Sequence, residues 1–173
     1  MKYKFNPKAV KLVKLTEEEL SDLAIFDCGD EEMNEFFREY AFPEQQMGMN
    51  TTILLYYMGE LTAACSICCD AIPLSKTEKD NEGIPYPRVP AIKVARLGRD
   101  IKFRDYMFGK FLVEYAKQLA YDLNEDTVGV RFLTLDAYPD KVDYYKEKLG
   151  FIENEAVKTK SGQPISMRAD IFD

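Results

Sequence analysis

The sequence predicts an α+β fold: a mixed, mostly antiparallel central sheet with one parallel strand pair and flanking helices, in one domain over residues 1–173. Two observations carry this. Residues 91–150 read strand, helix, strand, helix, which requires one parallel crossover. Residues 51–69 read as two β-rich runs joined at Gly59-Glu60, an antiparallel hairpin.

The remaining elements follow in order. "AVKLVKL", 9–15, alternates as a first strand, and Thr16 with Glu19 makes a capping-box pattern that opens a helix to Ile25. Gly29 breaks the chain and Asp30 caps a second helix, in which Met33, Phe36, Phe37 and Tyr40 recur at helical spacing. Residues 70–90 hold four prolines around a charged centre and read as a long loop, either on the substrate side or a solvated connector. "AIKVARLGR", 91–99, is a strand, and a turn over 100–107 leads into the helix 108–123. There Phe108, Phe111, Leu112, Tyr115, Ala116 and Leu119 form one apolar stripe. "VGVRFLTLDA", 128–137, is a buried strand, "DKVDYYKEKLG" a helix ended by Gly150, and "ISMRADIF" the last strand.

Composition narrows the chemistry. Apolar residues make up 46% and aromatics 13%, enough for a packed core. No apolar leader or membrane-length run is present, so the expected location is the cytoplasm, with no membrane partner. Net charge is −7, which disfavours general polyanion binding, yet Lys93–Lys110 carries +4 and the rest −11. There is no histidine, which excludes Ser–His and Cys–His nucleophiles, HExxH zinc hydrolysis and an imidazole base. Cys28, Cys65, Cys68 and Cys69 lack the spacing and partners of a zinc site, and no metal is expected.

The turn before helix 108–123 is a candidate anion site. Unpaired amides at a helix start, aided by the helix dipole and nearby Arg and Lys, bind phosphate oxygens. Arg96 and Arg99, on the preceding strand, are further candidates to meet phosphate or substrate; strand side chains point oppositely to their neighbours, and a plain surface residue is the alternative reading for one of them. Asp27 and Asp30 read as caps.

Arg104-Asp105-Tyr106-Met107-Phe108-Gly109 resembles the Arg/Gln-x-x-Gly-x-Gly/Ala loop of the GNAT superfamily of N-acetyltransferases, with Met107 in place of the middle glycine. "ARLGRD" resembles that family's cofactor strand and "FLTLDA" its following parallel strand. "YYKEKLGF" resembles its Phe-Tyr-x-x-x-Gly-Phe element with one extra residue, whereas "PDKVD" offers no counterpart of its early-helix asparagine. "FDCGDEEMNEFFREYA" and "YPRVPAIKVARLGRD" resemble the GNAT toxins of toxin–antitoxin pairs.

The resemblance implies acetyl-CoA as co-substrate and direct acetyl transfer to an amine. It implies that the diphosphate is held at Arg104, Asp105, Tyr106, Met107, Phe108, Gly109 and Lys110. Strand backbone at Leu97, Gly98 and Arg99 would hold the pantetheine arm and polarise the thioester. Tyr145 would protonate the departing thiolate, with Tyr144 in the neighbouring aromatic position or, in a shifted register, in its stead. The leading expectation is an N-acetyltransferase of an unidentified primary amine, on a small molecule or a protein. The alternatives are a toxin acetylating the α-amine of aminoacyl-tRNA, with an antitoxin partner, and a non-catalytic acyl-CoA-binding module. A homodimer is a further expectation.

Overall fold

The computed structural model describes residues 3–173. β1 (Val10–Lys14) runs into the Thr16–Glu19 box, where Glu19 accepts the Thr16 N–H at 2.8 Å, and a 3-10 turn leads to α1 (Leu20–Ile25). The Asp30 carboxylate accepts the Met33 N–H and starts α2 (Glu31–Glu35). The helix then widens into a π turn, Phe36–Tyr40, where the Ala41 N–H reaches the Phe36 carbonyl, and continues as α3 (Ala41–Gln46). Pro43 lies within α3 and has no N–H to give the preceding turn, a local cost consistent with a widened turn just upstream.

β2 (Thr51–Tyr57) and β3 (Glu60–Pro73) form the expected hairpin, but its turn is Met58-Gly59, one residue earlier than the sequence suggested. Both turn residues have positive φ, +52° and +83°, as a tight hairpin that follows the strand twist requires. The stretch 70–90 is not a long loop. β3 persists to Pro73, α4 (Lys76–Glu82) follows, and β4 begins at Arg88 and runs to Arg99. The Ser75–Glu78 capping box that opens α4 was present in the sequence, hidden among the prolines.

α5 (Phe108–Asp126), β5 (Phe132–Ala137) and α6 (Val142–Leu149) complete the central run, and Gly150 at φ +71° closes α6. β6 (Ile152–Glu153), not anticipated, and β7 (Ile165–Asp170) end the chain. Strand order is β1-β2-β3-β4-β5-β7-β6, and β1/β2, β2/β3, β5/β7 and β6/β7 pair antiparallel. β4 and β5 are parallel, because their contacts climb together: Pro90 with Arg131, Ile92 with Thr134, Lys93 with Asp136. The architecture is the mixed, mostly antiparallel α+β sheet with flanking helices that the sequence predicts.

The chain divides into two compact units. The first comprises the residues up to Cys68 with Val94–Val113, and its core packs Leu15, Leu23, Phe26, Phe36, Phe37, Ala41, Leu54 and Ala64. The second comprises Cys69–Lys93 with Glu114–Asp173, and Ile72, Leu74, Val89, Ala91 and Phe132 cluster within it. In this second unit α4 is fastened by charge. Glu78 and Arg168, both buried, pair at 2.6 Å, and Glu78 also accepts the N–H groups of Ser75 and Glu155. Arg168 donates to Asn154 as well and lies over the Phe132 ring. A segment clipped this way is part of the scaffold.

Candidate functional site

The candidate phosphate loop lies in the first unit. Asp100, 4% exposed, ends β4 and fixes the loop's entry. Its carboxylate accepts from the N–H of Lys102 at 2.9 Å and of Asp27 at 3.3 Å. The Asp27 carbonyl in turn receives the Ile101 N–H at 2.8 Å, so segment 26–29 is bolted to the start of the loop. Asp27 also accepts from the Asn34 amide and the Gly29 N–H, each at 2.8 Å, and these bonds hold its carboxyl below the usual carboxylate range. Gly29 is required there. Its φ is +81°, and a Cβ would sit 3.1 Å from Ile101 and 3.5 Å from the Arg104 guanidinium. Asp30 is the helix cap the sequence suggested, while Asp27 organises a turn.

Aromatic rings brace the far end of the loop. Tyr106 stacks on the fully buried Phe108 at 5.2 Å and 3°. Phe103 and Tyr57 each contact both rings, and Phe5 lies 4.5 Å from Phe108. The Met107 carbonyl accepts the Phe111 N–H at 3.0 Å, which makes Met107 the residue at which α5 begins. No acidic residue occupies the first turn of α5. Among the described residues, the N–H groups of Asp105, Met107, Phe108 and Gly109 have no hydrogen-bond partner. With Phe108 itself buried, the amides of Asp105, Met107 and Gly109 at the start of a 19-residue helix suit an anion.

The predicted basic residues divide. Arg99 turns to the loop, its Nη1 donating to the carbonyls of Arg104 at 2.6 Å and Tyr106 at 3.2 Å. Arg96 lies over the Phe36 ring at 5.0 Å. Arg104 extends its guanidinium toward Gly29. Gly98 sits where a Cβ would meet Phe37 at 3.0 Å and Cys28 and Phe26 at 3.3 Å, while Leu97 beside it is half-buried. Lys110 follows the open amides on the first turn of α5.

The two tyrosines lie in the second unit, on α6. Tyr144 is 40% exposed. Tyr145 is half-buried against Phe151 and Tyr144, with ring centroids at 5.7 and 5.5 Å. Burial, helped by Tyr144, pushes the Tyr145 phenol up to about 12, so it is protonated at neutral pH. Its hydroxyl has no partner among the described residues. Cys65 is buried, Cys68 half-buried and Cys69 exposed, and no cluster of described His, Cys, Asp or Glu residues could hold a metal. No described helix is long and apolar enough to cross a membrane.

Sequence reasoning missed Asp100, Asn34 and Asp27 as the groups that place the loop. Asp100 is visible as the acid that closes "ARLGRD", but its acceptor role joins residues 73 positions apart.

These elements, in this order, define the GNAT N-acetyltransferase fold. Solved structures agree. A tyrosine-to-phenylalanine variant of KacT matches with TM-score 0.79 at 19% identity, over 95% of this chain and 96% of that one. AtaT complexed with acetyl-methionyl-tRNAfMet matches with TM-score 0.75 at 20% identity, over 90% and 93%. An AtaT variant toxin bound to the C-terminus of the antitoxin AtaR and acetyl-CoA gives 0.74 at 18%, over 95% and 94%. No protein-family model matches the chain, and no curated protein matches it in sequence.

Proposed function

We propose that this chain is an acetyl-CoA-dependent N-acetyltransferase whose acceptor is the α-amino group of an aminoacyl-tRNA. The observation that carries the first part is the set of amides at Asp105, Met107 and Gly109, without a partner among the described residues, around a helix start with no acid in its first turn. In this reading those amides hold the diphosphate, and the backbone of Leu97–Arg99 orients the pantetheine arm. The acetyl donor supplies an activated thioester when bound. Tyr145, kept protonated by burial, gives its phenolic proton to the departing thiolate. The chain needs no histidine for this, because the acceptor amine is itself the nucleophile.

The acceptor is inferred from the structural neighbours, among which AtaT is seen with an acetyl-methionyl-tRNA. They favour this acceptor over an unidentified primary amine on a small molecule or a protein, the expectation under which the charge of −7 disfavoured a polyanion. Energetics agree. Freeing an α-amine of pKa near 8 at pH 7 costs about 1 kcal/mol, whereas a lysine-like amine at about 10.4 costs about 4.6 kcal/mol. An antitoxin partner belongs to the same reading, as AtaT is seen with AtaR.

The test is to incubate the purified chain with acetyl-CoA and a mixture of charged tRNAs, and to detect N-acetylated aminoacyl ends by mass spectrometry. Acetylation of the aminoacyl end is expected. Thiol release with free amines but none with charged tRNA restores the unidentified-amine reading. Saturable coenzyme A binding without turnover on any amine leaves a binding module.

A further inference from the structure

We infer that Arg99 is a positioning residue for the phosphate loop: by holding two loop carbonyls it turns the Asp105 and Met107 amides toward the ligand. This rests on the proposed reading of the loop as the diphosphate site.

The argument starts from the peptide group. A trans peptide plane carries its C=O and N–H in opposite directions. The Arg99 Nη1 holds the carbonyls of Arg104 and Tyr106 at 2.6 and 3.2 Å. The N–H groups that share those two planes belong to Asp105 and Met107, and both must point away from Arg99. They are two of the open amides, alternate residues presenting to one side. One terminal nitrogen with two hydrogens therefore sets two donors at once.

Met107 stands where the resemblance expects a glycine. A glycine there relaxes the backbone freely, whereas Met107 restricts it. The stacked Tyr106 and Phe108 fix the loop's side chains but leave the direction of its peptide planes open. Arg99, half-buried at the end of β4, supplies that direction. Its Nε is buried without a partner, a cost consistent with a geometry set by the carbonyl bonds.

The experiment compares the unaltered chain with Arg99→Lys and Arg99→Met. Coenzyme A is titrated calorimetrically, and hydrogen exchange at the Asp105 and Met107 amides is followed with and without it. Arg99→Met is expected to weaken coenzyme A binding roughly 10- to 100-fold, the scale of one hydrogen bond to a charged group. Coenzyme A should no longer protect those two amides in that variant. Arg99→Lys, which keeps the charge on a narrower head, should fall between. Unchanged affinity in Arg99→Met overturns the inference and leaves the acetyltransferase reading standing. Full affinity in Arg99→Lys beside a loss in Arg99→Met also overturns it, because charge alone would then suffice. If Arg99→Met does not fold, the lysine variant decides: reduced affinity supports the role and equal affinity refutes it. Absence of binding by the unaltered chain sinks the acetyltransferase reading, and this inference with it.

Discussion

Two polar regions of this molecule are built on opposite rules. Around Glu78 and Arg168 the charges are buried, paired and further satisfied by Asn154 and two backbone amides. Around Arg99–Gly109 the carbonyls are held while the matching amides stay open. A buried charge without partners costs several kcal/mol, so the first region pairs its charges, although the Arg168 Nε is left without a partner among the described residues. The second sits at a helix start, where the exposed Asp105 and the half-buried Met107 and Gly109 carry amides that a helix N-terminus can offer to an anion. The difference separates a paired polar cluster from an unpaired one without reference to any relative. The Tyr145 hydroxyl, protonated and without a partner among the described residues, belongs with the open groups.

The contrast breaks first at the buried pair. Arg168→Met leaves the Glu78 carboxylate stranded and should destabilise the chain by about 3–5 kcal/mol in urea unfolding. A Glu78→Leu/Arg168→Met double variant should regain much of that loss. Equal stability of the single variant would show that the pair is not part of the scaffold.

Removing an open group should cost activity and spare the fold. Tyr145→Phe is expected to lower turnover roughly 10²- to 10⁴-fold, with coenzyme A affinity and unfolding midpoint nearly unchanged. A stability loss without a turnover loss would move Tyr145 to the packed side of the comparison.

Gly98→Ala tests the strand that feeds the loop. The new Cβ would meet Phe37 at 3.0 Å, and overpacking of this kind costs about 1–3 kcal/mol. Thermal unfolding reads the loss, and an unshifted midpoint would mean that Phe37 moves aside freely.

The smallest expected effect is a slope with pH. Burial works against ionising Glu78, but the amides of Ser75 and Glu155 and the Arg168 guanidinium overcome it and hold its carboxyl below the usual range. Asp170 is held low in the same way, burial being outweighed by Arg131 and the Phe172 N–H. A lowered folded value contributes stability that is present above the unfolded carboxylate pKa and lost as pH falls through the folded one. Urea midpoints should therefore hold near pH 6 and decline below about pH 4.5. In the Arg168→Met variant the decline should be shallower.

Much of this was legible in advance where the cause is local. The Thr16–Glu19 box, the Asp30 cap, the Gly150 stop and the stripe of α5 are set by neighbours within a few positions, and each element formed where that chemistry placed it. α4 was misread because four prolines outweighed a Ser75–Glu78 box that was equally local. β6, two residues long, exists only because β7 pairs with it.

The sequence by itself determined most of the run of helices and strands, the absence of imidazole chemistry and the place of a turn between β4 and α5. Those depend on short-range periodicity, residue inventory and turn chemistry. Tertiary structure alone decided that Arg99 faces the loop while Arg96 covers a ring, that Asp100 anchors a segment 73 positions away, and that Glu78 meets Arg168 across 90. A long polar side chain has many reachable partners, and only the folded backbone selects among them.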